Sequence, residues 1–194
     1  QRLGRIAADL ETIKEDKPAT FREALQLFWL YAMLSGVINY GRLDDFLGPY
    51  LAEDLEAGRL SDAEAYELVK SLWTMIENRR TTVNGRVIVG GQGRRHPKEA
   101  DIFLHYAMRV CKDCRYVEPQ FTLRLDSNTS QQIWDEALDA LGAGATYPTL
   151  YNDDVEVPAV SYGMRLSREA AEQYVPFGCT EFVIQGQSTG TPNI

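Results

Sequence analysis

The 194-residue sequence has few of the residues that most often carry enzyme chemistry, with only two histidines and three cysteines. Three cysteines argue against a disulfide framework and lead us to expect a cytoplasmic location. Positive charge is also scarce, since 20 Lys and Arg stand against 28 Asp and Glu, for a net charge of −8. Nucleic-acid binding requires clustered cations, so this balance argues against a nucleic-acid partner.

Long apolar runs are missing as well. The longest candidate, "ALQLFWLYAMLSGVI", is shorter than the roughly 20 residues of a membrane span. It predicts a buried helix instead. With 44% hydrophobic and 25% charged residues, the composition is typical of one ordinary globular domain. The sequence opens without Met and stops directly after a motif-like stretch, so we expect it to be a piece of a longer polypeptide.

Residues 1–80 are predicted to be mainly helical. Thr20 with Glu23, and Ser61 with Glu64, have the spacing of capping boxes at helix starts. The helix after Thr20 is apolar on all sides, which predicts burial on most of its surface.

In residues 81–194, short strand candidates alternate with helix candidates. The strand candidates are "GRVIVGG", "PQFTLRL" and "YPTLYNDD", and the helix candidates are "PKEADIFLHYAMRVCKDC", "TSQQIWDEALDALGAG" and "LSREAAEQYV". This order predicts an α/β fold with a parallel sheet and crossover helices. A barrel segment and a doubly wound sheet both fit the pattern.

Several motifs have structural interpretations that outweigh the functional ones. Cys111 and Cys114 have redox or half-zinc spacing, but they close a helix rather than open one, so we expect no shared role and no metal. The glycines of "VGGQGRRHP" match no phosphate loop and predict a tight turn. His105 lies mid-helix and is expected to be packed or half-exposed. Asp153 and Asp154 could bind a cation, but an Asx turn or a helix N-cap is favoured.

The stretch "PFGCTEFVI" holds Cys179 after a glycine, and Glu181 follows two positions later. In an extended segment these side chains would share one face. The carboxylate would raise the pKa of the thiol, and no Lys, Arg or His follows Arg168. Such a setting disfavours a nucleophilic thiolate and suits hydrogen-atom transfer by a neutral thiol. A cysteine buried beside a glutamate by chance is the alternative.

Taken in order, several stretches resemble the glycyl radical enzymes of the pyruvate formate-lyase-like family. They are "FREALQLFWLYAM", "YGRLDDFLGPYLAEDLEAGRLSDAEAYELVKSLW", "VIVGG", "EPQFTLRL" and "YPTLYNDDVEVPAVSYGMRLSREAAEQYVPFGCTE". The similarity runs from the region of Thr20 onward, and its most specific feature is the final Gly-Cys-x-Glu.

The resemblance implies part of a ten-stranded β/α barrel with the cysteine on a central loop. Cys179 matches the cysteine whose thiyl radical abstracts a substrate hydrogen, and Glu181 matches the general base of the eliminating members. The resemblance also implies a glycyl radical installed by a radical S-adenosylmethionine activating enzyme, no directly bound cofactor, and a homodimer acting on a small molecule.

Two departures from the family pattern bear on the reaction. Thr180 follows Cys179 where pyruvate formate-lyase has a second cysteine, which argues against a formate acetyltransferase-like reaction. The Arg-Val-x-Gly-Tyr-like word of the glycyl radical loop is absent, so this chain alone is expected to be inactive. The alternative functions are a non-catalytic barrel module for binding or assembly and, against the argument from Thr180, a formate acetyltransferase-like C–C lyase.

Two further departures concern the substrate pocket. Dehydratase-type members often carry His-Ser where this chain has Gly36 and Val37, and they tend to carry proline where Phe182 stands. A less polar pocket is therefore expected, lined by Val37, Asn39, Phe182 and Asn193. Such a pocket favours an aryl or alkyl substrate over a polyol.

Overall fold

The computed structural model describes residues 2–80, 85–178, 181–184 and 187–188. Within these ranges the helices are α1 (Arg2–Glu15), α2 (Phe21–Ser35), α3 (Leu43–Glu56), α4 (Asp62–Asn78), α5 (Pro97–Cys114), α6 (Gln131–Gly142), α7 (Asp153–Met164) and α8 (Arg168–Ala171). The strands are β1 (Asn39–Arg42), β2 (Arg86–Gly90), β3 (Gln120–Leu125), β4 (Thr149–Asn152), β5 (Tyr174–Phe177) and β6 (Glu181–Ile184).

Helices α2 and α4 begin at the two predicted capping boxes. The hydroxyls of Thr20 and Ser61 each accept a hydrogen bond from the backbone N–H three residues later, both at 3.3 Å. The carboxylates of Glu23 and Glu64 accept in return from the backbone N–H of the capping residue. Both predictions are confirmed.

Strands β1 to β4 form a parallel sheet in the order β1-β2-β3-β4. The predicted α/β class with a parallel sheet is therefore confirmed, whereas the described residues do not test a ten-stranded barrel. Strands β5 and β6 form a separate antiparallel hairpin. Strand β1, with the sequence "NYGR", was not predicted, because it has no apolar run and is defined only by its pairing with β2.

The two faces of the sheet have different partners. Val87, Val89, Phe121 and Leu123 pack into the large core that the helices cover. Side chains alternate along a strand, so the intervening residues face the other way, where Ile88 packs against Val175, Phe177 and Val183 of the hairpin. We call this second side of the sheet the hairpin face.

Helix α2 is more exposed than its sequence predicts. Phe21, Ala24 and Leu25 are buried, but Tyr31 is 66% exposed and Leu34 is 88% exposed. The prediction of burial on most sides is wrong for this structure, because no described element covers the far side of α2. None of the helices in the described ranges combines the length and hydrophobicity needed to cross a bilayer.

The chain between β4 and β5 also differs from expectation. Helix α7 was not predicted and contains Pro158. The helix predicted over "LSREAAEQYV" is short and covers only Arg168–Ala171. Tyr174 and Val175 begin β5 instead. Their side chains are buried, and their backbone pairs with β6.

Candidate active site

The β5–β6 hairpin packs on the hairpin face of the sheet and includes Glu181 of the predicted catalytic motif. Phe177 pairs with Glu181, so the chain reverses direction between these two residues. The described residues do not test whether the side chains of residues 179 and 181 share one face. Cys179 lies outside the described residues, and its role together with that of Glu181 stays a prediction.

Three side chains of the sheet donate hydrogen bonds to alternate carbonyls at the hairpin. The pairs are Arg124 Nη1 to Tyr174 O (2.8 Å), Asn39 Nδ2 to Pro176 O (3.0 Å) and Arg86 Nη2 to Gly178 O (2.9 Å). We call these three pairs the donor row. Every second carbonyl of a strand points to the same edge, so the donor row takes the place of a neighbouring strand along β5. Its last pair reaches the residue immediately before Cys179.

Sequence reasoning missed two members of the donor row, Arg124 and Arg86, and of these Arg86 contacts the residue before Cys179. Arg86 is 5% exposed, and its guanidinium also donates to Thr122 Oγ1 at 2.9 Å and to Gln120 Oε1 at 3.0 Å. The expectation that no positive charge lies near Cys179 considered sequence neighbours alone. The fold brings a cation to the adjoining carbonyl of Gly178.

Gly178 allows the carboxylate of Glu181 to lie against the turn. Its φ is +55°, a conformation that favours glycine. A β-carbon placed on Gly178 would lie 2.6 Å from Oε2 of Glu181, so the carboxylate would have to move. The predicted base thus lies beside the main chain at the residue preceding Cys179, and Glu181 is exposed.

A cavity of about 680 Å³ lies between α2, α3, β1 and the hairpin. Val37 and Asn39, two of the predicted pocket residues, line it together with Phe177 of the hairpin. The structure does not bring Phe182 to this cavity, since that ring packs edge-on against Tyr174 with the ring centroids 5.0 Å apart. Asn193 lies outside the described residues.

A fully buried ion pair contacts the hairpin at Tyr174, the first residue of β5. Arg124 donates through Nε to Asp153 Oδ1 at 2.9 Å and through Nη2 to Asp153 Oδ2 at 2.7 Å. Tyr174 donates its hydroxyl to Asp153 Oδ1 at 2.7 Å, and burial raises the pKa of this phenol. The predicted helix cap is supplied by Asn152, so Asp153 acts as a counter-ion rather than as a cap.

The glycine-rich loop after β2 is a structural turn, as predicted. Its backbone N–H groups already donate to carboxylates of the protein. The pairs are Gly90 to Asp44, Gln92 to Asp153 and Arg95 to Asp45, each at 2.7 Å. The donors that would hold a phosphate are therefore occupied.

The remaining motif residues lie away from the hairpin. Cys111 and Cys114 lie in the last turn of α5, and burial raises the pKa of Cys111 to about 12. The described residues contain no cluster of His, Cys, Asp or Glu that could hold a metal ion. His105 is partly exposed and lies 2.7 Å from Glu136. The helix-end position of the two cysteines and the partial exposure of His105 agree with the predictions for these residues.

Comparison with known proteins decides the family. The model described as pyruvate formate lyase-like matches residues 1–193. The chain belongs to the pyruvate formate lyase-like family. The resemblance to glycyl radical enzymes is thereby confirmed.

This pyruvate formate lyase-like chain is 27% identical, over 97% of its length, to isethionate sulfite-lyase from Desulfovibrio desulfuricans. It is 26% identical, over 98% of its length, to (2S)-3-sulfopropanediol dehydratase from Klebsiella oxytoca. The solved structure of the B12-independent glycerol dehydratase from Clostridium butyricum matches it with a TM-score of 0.79 at 25% identity, covering 97% of this chain and 26% of that one. The chain spans 25% of the length of the two curated relatives.

Proposed function

We propose that this chain forms the cysteine-bearing part of a glycyl radical lyase that eliminates a group from a small molecule. The family match over residues 1–193, with relatives named as lyases and dehydratases, carries the proposal. The proposal includes a barrel of the pyruvate formate-lyase type, a homodimer, a cytoplasmic location and activation by a radical S-adenosylmethionine enzyme.

In the proposed reaction a glycyl radical removes a hydrogen atom from the thiol of Cys179. The resulting thiyl sulfur takes a hydrogen atom from a substrate carbon, which breaks the C–H bond, forms S–H and leaves a carbon radical. Glu181 accepts the proton of the hydroxyl on this carbon. A C=O bond forms there, and the leaving group departs from the adjacent carbon with the electron pair of its bond, which leaves the product radical. The product radical then takes a hydrogen atom back from Cys179, which regenerates the thiyl sulfur.

The geometry near the hairpin turn supports these roles. Glu181 Oε2 lies against Gly178, so its carboxylate is available to a substrate that reaches the turn. The cavity of about 680 Å³ contacts both strands that flank the turn, through Phe177 and Val183. A substrate in that cavity would be close to the chain on either side of Cys179.

The first test is electron paramagnetic resonance of the full-length protein after anaerobic activation. We expect a glycine-centred signal that appears only with the activating enzyme, S-adenosylmethionine and a reductant. The same sample should form an elimination product, detected by mass spectrometry. An activated sample without the signal would contradict the proposal and favour a non-catalytic barrel module.

The second test concerns the substrate class. The cavity is lined mainly by apolar and aromatic side chains, and its amide, Asn39, already donates to Pro176 O and accepts from Gly41 N. We therefore expect an alkyl or aryl substrate to be preferred over glycerol. The Val37→Ser variant should lower kcat/KM for that substrate by about tenfold, since one or two methyl groups in a pocket contribute this much.

The control for this test is Val117→Ser, because Val117 is 64% exposed and lies outside the cavity. It should leave kcat/KM unchanged. If glycerol were the better substrate, or if the two variants behaved alike, the apolar pocket would be the wrong assignment.

A further inference from the structure

Arg86 is a buried cation whose described partners are all neutral oxygens. Its guanidinium donates to Thr122 Oγ1, Gln120 Oε1 and Gly178 O. Among the described residues no carboxylate lies within 4.0 Å of a guanidinium nitrogen of Arg86, and its Nε has no hydrogen-bond partner. The half-buried carboxyl of Glu118 interacts with Arg86 electrostatically from a longer distance. We propose that Arg86 is the positioning residue for the Cys179 thiol, an inference that rests on the proposed function.

The hydrogen bond to Gly178 acts on the main chain where residue 179 begins. A carbonyl and the following N and Cα belong to one planar peptide group. Restraining the carbonyl of Gly178 therefore restrains the backbone that carries the Cys179 side chain. Hydrogen-atom transfer requires near contact between sulfur and carbon, and a displacement of about 1 Å can lower a rate by about 10²-fold.

Its electrostatic setting distinguishes Arg86 from the rest of the donor row. Arg124 has the carboxylate of Asp153 as its counter-ion, and Asn39 carries no charge. A buried charge that is not paired costs stability. Arginine presents its donors in a rigid fork, and here the fork joins two side chains of β3 to the hairpin turn. This arrangement fixes the position of the Gly178 carbonyl relative to β3.

The experiment compares Arg86→Ala with the matched control Arg42→Ala in the full-length, activated protein. Arg42 is also buried, at 3% exposure, and also donates to backbone carbonyls, those of Glu172 and Gly90. We expect Arg86→Ala to lower kcat by about 10²-fold with little change in KM. Guanidinium chloride at millimolar concentration should restore part of that loss, whereas sodium chloride should not. Arg42→Ala should lose stability, keep kcat and show no such rescue.

Hydrogen exchange of the unactivated protein gives a reading that does not depend on activity. Loss of a hydrogen bond to a charged donor should speed amide exchange in the hairpin peptide 174–184 by about tenfold in Arg86→Ala. Thr122→Val removes one hydrogen-bond acceptor of the guanidinium and conserves the shape of the side chain at residue 122. Like Arg86→Ala, it should speed amide exchange and lower kcat, but by smaller factors. If Arg86→Ala does not fold, Thr122→Val is the variant that tests the proposal.

The outcomes separate the two proposals. A wild-type protein without turnover would refute the proposed function, and the exchange data would then decide on Arg86. An active wild type with unchanged kcat in Arg86→Ala, or in Thr122→Val where Arg86→Ala does not fold, would refute the positioning role alone. A loss confined to KM, or a loss that guanidinium does not reverse, would also overturn it.

Discussion

Replacing Cys179 by serine is expected to abolish turnover of the activated full-length protein while leaving the glycine-centred radical in place. Serine conserves size and hydrogen bonding, but its O–H bond is much stronger than S–H, so the hydroxyl does not yield its hydrogen atom to a carbon-centred radical. The rate should fall to background, a loss of about 10⁶-fold or more for a typical enzyme. Spin quantification and product analysis on the same sample measure both effects.

The other cysteines provide the matched control. Cys114 is partly exposed and lies at the end of α5, so Cys114→Ser should conserve both the radical and the turnover. Glu181→Gln provides a contrast, because it should conserve the radical but slow elimination by about 10²- to 10⁴-fold, the usual contribution of a general base. Measurable turnover in Cys179→Ser would assign the hydrogen transfer to another residue.

The parts of the fold that local chemistry determines could be predicted from the sequence. The capping boxes at Thr20 and Ser61 depend on residues three positions apart, and both occur as predicted. The buried strand β2 also follows from a local β-branched run, and the strand predicted over "PQFTLRL" corresponds to β3. Strand β1 and helix α7 could not be predicted in this way, since one depends on pairing with β2 and the other contains Pro158.

The candidate site depends on contacts that sequence spacing does not show. Arg86 is 92 residues from Gly178, and Asn39 is 137 residues from Pro176. A signal was nevertheless present in β3, where the polar side chains of Gln120, Thr122 and Arg124 alternate with apolar ones. Arg86 stands at the start of β2 and gives no such signal. Polar residues at period two within a buried strand indicate that one face of the sheet has a polar partner. The hairpin is that partner.

Asp153→Asn is expected to lower the free energy of unfolding by about 3–5 kcal/mol, because it leaves the charge of Arg124 buried without a counter-ion. Both side chains are fully buried, and Asp153 also accepts hydrogen bonds from Tyr174 Oη and Gln92 N. An asparagine has one acceptor oxygen for these four donors, and its NH₂ group would face other donors. Urea unfolding, followed by tryptophan fluorescence with the m-value checked for constancy, measures the change.

The neighbouring Asp154→Asn variant is the control, since Asp154 is exposed and accepts from Ser127 N. It should change stability by no more than about 0.5 kcal/mol. A loss below about 1 kcal/mol in Asp153→Asn would contradict the prediction, because it would mean that Arg124 is compensated by another group.

The double variant Arg124→Met with Asp153→Leu separates the ion pair from the donor row. Replacing both members of a buried pair by apolar residues often restores stability. Here Arg124 also donates to the carbonyl of Tyr174, and a buried carbonyl left without a partner costs about 1–3 kcal/mol. The carbonyl of Glu172 keeps its hydrogen bond from Arg42. We therefore expect the double variant to be more stable than Asp153→Asn but less stable than the wild type. The remaining deficit should appear as faster hydrogen exchange in β5, because the carbonyl of Tyr174 anchors the strand that leads to Cys179.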